Sequence, residues 1–523
     1  MAGENRPGKN ARQGRHVVGF VPVFLLLGIF GVSAVMAVVP GLGSETDRFR
    51  AAVYDSDRTI YTTYFYWYKG TDTIQFSHQI LYDLDSNAIS TIMANLASPP
   101  AGWPGPTNAT INQIISFNAT GDGHNYTEAI SHHPLAAQPT YNERGDVIST
   151  LDTSLPKFTT DANGILTNMS SWIDWKNPDW HEWELRCMMR AGIDVAMPVY
   201  WWTGLPSNMS GWAREGLLVL NDTVTALQAR LIDEHTAGSA YTPEDVPKIA
   251  MFYDTSLMKG LWAWNMSMTT YGNANHMNEF TDGADLTDPY WANQFYLRIQ
   301  EFYDVIINGS ACHTVTITYN GIPEEYCVVW LYSGSFFGNI GPSVLDYSKG
   351  QFESRYGKKL LFVGGGEWGE ANVDGECGWG ACCGLRTAKG TRIPAGGYGP
   401  GYYNVGTLIC QEAAYTPRDV NRYKHGLMSV IDSGAVWIHV ETWNELLEGT
   451  DICWTQENGY DHIDATREIA DIFHAMRGLP PLEERVNLWL VITPLSCLIA
   501  LAGIALVLQK RRPTETAIPP RSR

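Results

Sequence analysis

Lysine and arginine are scarce in this chain, 36 of them against 55 Asp and Glu in 523 residues. Nine of those cations sit near the two ends, so the segment between carries 27 basic and 53 acidic residues, a net charge of about −26. A surface so acidic repels phosphate backbones and anionic lipid headgroups, which excludes nucleic acid as a partner. The usual hydrolase signatures are also missing. There is no H-E-x-x-H or H-x-x-E-H, which argues against a metallohydrolase, and no G-x-S-x-G nucleophile elbow. GGGEWGE (364–370) is followed by no Lys-Ser/Thr and so forms no phosphate cradle. DGADLTD (282–288) lacks the distal Glu of a calcium loop and reads as a solvated acidic turn. No metal or cofactor is expected. No repeat recurs at a fixed period, and no Pro/Ser linker splits 50–480, so one domain with long insertions is the simplest organisation.

Long apolar runs occur only at the ends, at 17–39 and 488–508. Each is long enough to cross a bilayer, which takes about 20 helical residues. Arg6, Lys9, Arg12 and Arg15 precede the first and Lys510, Arg511 and Arg512 follow the second, which places both tails in the cytoplasm by the positive-inside rule. The expected order is a basic tail (1–16), a signal-anchor transmembrane helix (17–39), an ectodomain (50–480), a second transmembrane helix (487–509) and a basic tail (510–523). The protein would then lie in the plasma membrane with its middle outside. A cleaved signal peptide is the rival reading of the first run.

Asn-X-Ser/Thr sequons begin at Asn108, Asn118, Asn125, Asn168, Asn208, Asn221, Asn265 and Asn308, all in the middle segment, as glycosylation of an exported domain requires. Eight of the nine cysteines lie there too, with no CxxC spacing, which favours disulfides over zinc. Cys312 and Cys327 bracket CHTVTITYNGIPEEYC, a hairpin pattern with Asn320-Gly321 at its turn, and are expected to pair.

Apolar runs at 60–68, 193–201, 248–254, 327–334, 359–367, 404–412 and 435–443 read as strands, and most follow a helix-like segment. That alternation predicts a parallel sheet covered by helices. At this length the favoured closure is a (β/α)8 barrel, with seven of its strands assigned and loop insertions at 100–165 and 364–404. Aromatic and acidic residues gather at the predicted strand ends: Tyr66, Trp67 and Tyr68; Tyr200, Trp201 and Trp202; Asp254; Glu367; Trp443 and Asn444. A cleft of flat amphipathic rings with carboxylates between them suits a carbohydrate, although any one of these aromatics is as readily a core residue.

TWNELLEG (442–449) follows the last predicted strand, and places Glu445 and Glu448 three apart in a loop or first helical turn. Two acids that close perturb one another, so that one holds a proton while the other stays ionised, the division that glycoside cleavage needs. The spacing alone occurs on countless solvated helices. The segment TWNELLEGTDI, however, resembles the W-N-E-W-x-E-G-T motif of glycoside hydrolase family 99, the endo-α-mannosidases, and of the WbsX-like proteins. TTYFYWYKG (62–70), SHHP (131–134, with His132 and His133) and MMRAGIDVAMPVYWW (188–202) are similar to other blocks of that family, in the same order. The resemblance implies a metal-free (β/α)8 barrel that cleaves α-mannosidic bonds with retention, with Glu445 as base and Glu448 as acid/base. Leu446 stands where the family usually has Trp, and Lys69 interrupts the first block. The other readings are an inactive surface protein that binds glycans, and a WbsX-like enzyme of polysaccharide biosynthesis.

Overall fold

The computed structural model describes residues 173–201, 211–386, 391–404, 412–446 and 448–477, with 58–66 and shorter pieces between 49 and 147. Eight parallel strands form one ring: β1 (Thr59–Tyr64), β2 (Val195–Tyr200), β3 (Lys248–Ile249 and Met251–Tyr253), β4 (Ile322–Leu331), β5 (Lys359–Gly364), β6 (Gly375–Glu376), β7 (Ala395–Tyr398) and β8 (Trp437–Val440). They run in the spatial order β6-β5-β4-β3-β2-β1-β8-β7. The circle is completed by a parallel bridge between Gly375 and Ile393.

Five of these strands are wholly or almost wholly buried runs, as a sheet covered on both faces demands. The two strands absent from the sequence prediction, β6 and β7, are GE and AGGY, and lie inside the stretch 364–404 expected to be a loop insertion. Neither has the apolar run that marks a barrel strand. Gly399, just past β7, tolerates no side chain, since a Cβ there would fall 2.0 Å from the Glu441 carbonyl oxygen. The run 404–412, expected to be a strand, lies mostly outside the described residues.

Among the described residues from 173 onward, seven α-helices flank the ring: α1 (Pro178–Ala191), α2 (Gly211–Thr236), α3 (Ser256–Tyr271), α4 (Pro289–Ile306), α5 (Val344–Tyr356), α6 (Val420–Asp432) and α7 (Asp461–His474). Their starts follow from capping. Asn177, Asp288 and Asp419 each accept a backbone N–H of the first turn, and Pro178 and Pro289 sit at the first helical position. In the acidic turn Asp288 caps α4 and Asp285 accepts the Thr287 hydroxyl.

Among the described residues no group of three or more His, Cys, Asp or Glu has the arrangement of a metal site. Nor is any described helix long and apolar enough to cross a membrane. The runs 17–39 and 488–508 lie outside the described residues.

The hairpin is present as read. Val315–Tyr319 pairs antiparallel with β4 from Tyr319↔Ile322 to Val315↔Tyr326, and Asn320 and Gly321 adopt φ of 53° and 77°. Cys312 and Cys327 come into contact but are free thiols, not the expected disulfide. The Cys312 sulfur turns instead toward the His313 carbonyl, 3.7 Å away. Of the sequons, Asn221, Asn265 and Asn308 are described. They lie on α2, on α3 and just past α4, each partly or fully exposed on the helical layer.

The barrel interior is filled in layers. Tyr61, Trp330 and Trp437 meet near the base with ring centroids 5.3 and 5.4 Å apart, and His313 bonds the Tyr61 hydroxyl at 2.9 Å. Above them His439 Nε2 bonds Thr63 Oγ1 at 2.7 Å. Burial lowers the His439 pKa to about 3, so this ring is a neutral, satisfied core residue.

Candidate active site

Alternation along the strands decides which side chains reach the mouth. On β1 the odd positions Tyr61, Thr63 and Phe65 face the barrel axis, where they meet His439, Trp330 and Trp379. Tyr64 and Tyr66 face outward. Tyr64 packs on Trp180 and His181 of α1, and the Tyr66 hydroxyl donates to the Ala213 carbonyl of α2 at 2.7 Å. Tyr66 is therefore a buried interlayer residue and not the sugar contact it was expected to be. Tyr200 is displaced by the same parity, its ring edge-on to Phe302 of α4.

On β8 the inward series is Trp437, His439 and then Glu441. Glu441, fully buried, ends this series; the sequence places it at a strand end but gives it no catalytic role. Its carboxylate accepts backbone N–H groups from Gly380 at 3.0 Å and Ala381 at 2.9 Å, with Cys382 at 3.4 Å. Burial nevertheless outweighs those donors and raises its pKa to about 7. The donors lie on the segment joining β6 to β7, which crosses the mouth where an ordinary barrel would insert a helix.

TWNELLEG is a closed loop and not the first turn of a helix, since α7 begins only at Asp461. The Thr442 and Thr450 hydroxyls bond at 3.0 Å, Thr442 N–H donates to the Thr450 carbonyl at 2.9 Å, and Arg418 clasps the Gly449 and Asp451 carbonyls at 2.6 and 2.5 Å. Two of the expected sugar contacts are spent on this framework. Asn444 holds the Phe65 backbone in both directions, at 2.7 and 2.9 Å, and so ties β8 to the end of β1. Trp443 is buried and donates its indole N–H to Glu184 of α1 at 2.5 Å.

The loop carries its two glutamates to the mouth. Glu445 is buried, its N–H held by Thr442 Oγ1 at 3.0 Å. Glu448 is partly buried. Burial first and the neighbouring Glu441 second raise its pKa to about 7, against a hydrogen bond from Tyr402. The acid whose charge bears on Glu448 is thus Glu441, four residues upstream of the pair read from the motif.

These groups converge on Tyr332, one step beyond β4. Its phenol pKa is raised by burial first and then by the charges of Asp254, Glu448, Glu441 and Glu445, so the fields of all four carboxyls reach one hydroxyl. Asp254 is fixed by the Trp201 indole and by the Ser256 N–H at 3.0 Å, and burial raises its pKa as well. Trp379, from the β6–β7 segment, lies edge-on to Tyr332 at 5.4 Å and beside Phe252, Phe65 and His439. A cavity of about 220 Å³ opens beside them, lined by Leu331, Tyr332, Ser333, Gly365, Glu367 and Trp379. Glu367 is exposed on its rim.

Of the expected site residues, Asp254, Trp201, Glu367, Glu445 and Glu448 gather at this end of the barrel. Tyr68 lies in a short hairpin, paired with Phe76. Trp67, Trp202, His132 and His133 lie outside the described residues.

Fold and site together define a parallel (β/α)8-type barrel whose strand ends present paired carboxylates walled by aromatic rings. The sequence model described as "Domain of unknown function (DUF5010)" matches residues 126–474, and the chain belongs to that family. Among solved structures, the GH99 endo-alpha-mannosidase from Bacteroides thetaiotaomicron in complex with BIS-TRIS-Propane is similar at 14% identity over 81% of this chain and 99% of that one, with a TM-score of 0.40. The same enzyme described without that ligand gives 14% identity, the same shares of both chains and a TM-score of 0.37. A "Glycoside hydrolase-like protein" gives 12%, over 60% and 89% of the two chains, with a TM-score of 0.37. No curated protein matches the sequence.

Proposed function

We propose that this protein is a glycoside hydrolase acting on α-linked, mannose-type glycans. The observation that carries the reading is the set of buried or part-buried carboxyls Glu441, Glu445 and Glu448 on the loop after β8, at the end of the barrel where Tyr332 and Trp379 wall a cavity, with Glu441 and Glu448 raised to about 7. Cleavage of a glycosidic bond needs a group that is protonated to release the leaving oxygen and a second that is ionised to withdraw a proton. Glu448, partly buried and held by Tyr402, is suited to be the acid and then the base. Glu445 is suited to be the base, the role that the resemblance of TWNELLEG gives it, and the outcome would be retention. Burial first and the charge of Glu441 second raise Glu448 to about 7, so that near neutral pH it can both hold and release a proton. Trp379 and Tyr332 supply the flat surface on which a pyranose ring stacks.

The terminal apolar runs would anchor the catalytic domain outside the plasma membrane with both tails in the cytoplasm, in the company of surface glycans. The test is hydrolysis of oligomeric and fluorogenic α-mannosides and α-glucosides by the full chain in detergent, compared with Glu445→Gln and Glu448→Gln. General acid or base groups contribute about 100-fold or more, so each variant should lose at least that factor. Full activity in either variant overturns its assigned role. A folded wild type that binds glycan yet cleaves none would replace hydrolysis by binding.

A further inference from the structure

We propose that Cys382 and Cys383 form a redox-modification site, closing on oxidation to a disulfide between adjacent residues at the barrel mouth. Their sulfurs stand 3.7 Å apart, against about 2 Å in the bonded state, so closure of the eight-membered ring brings them together by a short movement of the side chains and of the peptide unit between them. The two differ in access: Cys383 is exposed while Cys382 is 3% exposed. They ride on the segment that carries Trp379, flanked by Gly380 and Gly384. Gly380 holds a φ of 96° that other residues rarely adopt, and the Arg386 guanidinium packs against it where a side chain would stand.

The chemistry balances with an oxidised dithiol compound such as glutathione disulfide. The Cys383 thiolate is the attacking sulfur. The adjoining Cys382 thiol favours its ionised form against burial, bringing its pKa to about 7. It opens the S–S bond of the oxidant, forms a mixed disulfide and expels one glutathione thiolate. Cys382, within hydrogen-bonding reach of the Glu441 carboxylate, then passes its proton there and attacks the Cys383 sulfur, expelling the second glutathione thiolate. Two electrons move from the pair to the oxidant; the Cys383 proton has gone to solvent and the Cys382 proton returns to solvent from Glu441, and they balance the two protons that the released glutathione thiolates take up. An exposed bond between adjacent residues belongs to the labile class of disulfides, which respond to their surroundings.

Oxidation also reaches the carboxyl cluster, because Glu441 loses the Cys382 thiol as a donor and its charge is felt at Glu448. That consequence for turnover rests on the hydrolase reading, whereas the sulfur chemistry does not. The full chain is equilibrated in glutathione buffers of stepped ratio, acid-quenched, alkylated with N-ethylmaleimide and mapped by peptide mass spectrometry. As the buffer becomes oxidising, the 382–383 peptide should lose both alkyl groups together and appear two mass units lighter. Its doubly alkylated form should fall at least about tenfold across the series. In Cys383→Ser the remaining thiol should form no such species. Independent alkylation of both sulfurs at every ratio, or linkage of either to Cys410, Cys453 or another cysteine, overturns the proposal. If the bond forms while no glycan is turned over in either state, the hydrolase reading falls and the modification site stands.

Discussion

Replacing Glu184 with Gln should flatten part of the protein's pH–stability profile. Glu184 lies on α1, fully buried between two indoles, accepting from Trp180 at 3.1 Å and from Trp443 at 2.5 Å. Burial raises its pKa from 4.5 to about 7 despite those donors. A carboxyl whose folded pKa is raised stabilises the native state fully below the unfolded value, and that contribution is lost as pH climbs through the folded one. At about 1.4 kcal/mol per decade of proton activity, the window from pH 4.5 to 7 corresponds to about 3 kcal/mol. Glutamine keeps the shape and never ionises, so it pays no such penalty, but its NH2 group faces an indole N–H and leaves one donor unmet, at about 1–3 kcal/mol. The variant should therefore be the less stable protein at pH 4.5. Its deficit relative to wild type should shrink, or reverse, by about 3 kcal/mol at pH 8. Denaturant unfolding followed by tryptophan fluorescence at both pH values measures this. Parallel profiles for the two proteins would refute the claim that Glu184 is protonated in the folded state near neutrality.

Two further outcomes are expected. Asn444→Ala removes both hydrogen bonds to the Phe65 backbone, so it should cost about 2–4 kcal/mol in chemical denaturation, and an unchanged midpoint would show that the β1–β8 clamp is dispensable. Trp379→Ala should leave the melting temperature within a few degrees, since the ring is only partly buried, while weakening glycan binding in titration calorimetry by about 1–3 kcal/mol; undiminished affinity would remove the ring from the site.

Much of the barrel was legible because a strand packed on both faces is rich in apolar and β-branched residues, as β1, β2, β3, β5 and β8 are. The hairpin was legible because Asn-Gly permits the positive φ that a two-residue turn requires. Strands β6 and β7 were not, because glycines leave no hydropathy signal and their place is fixed by partners far away in the chain. The site was legible in outline only. The motif located Glu445 and Glu448, but strand parity sends Tyr66 and Tyr200 outward and brings Glu441 inward, and parity counts only once the strand register is known. Trp379 carried no signal at all, since it reaches the mouth from a segment without regular structure.

Closure of the ring rests on little backbone. Between β6 and β7 the ladder reduces to the bridge at Gly375 and Ile393, and the join is carried by Asp374, which is 1% exposed. Its carboxylate meets Phe362 N–H at 2.9 Å, Lys349 at 2.9 Å and Arg392 at 3.0 Å, so it ties β5, α5 and the approach to β7 to one point. An ionic rivet thus stands where other staves are seamed by hydrogen-bonded ladders. The segment bearing Trp379, Cys382 and Cys383 follows directly from that rivet, so the wall nearest the carboxyl cluster is moored at one end by a buried carboxylate and at the other by the backbone N–H groups that Glu441 accepts.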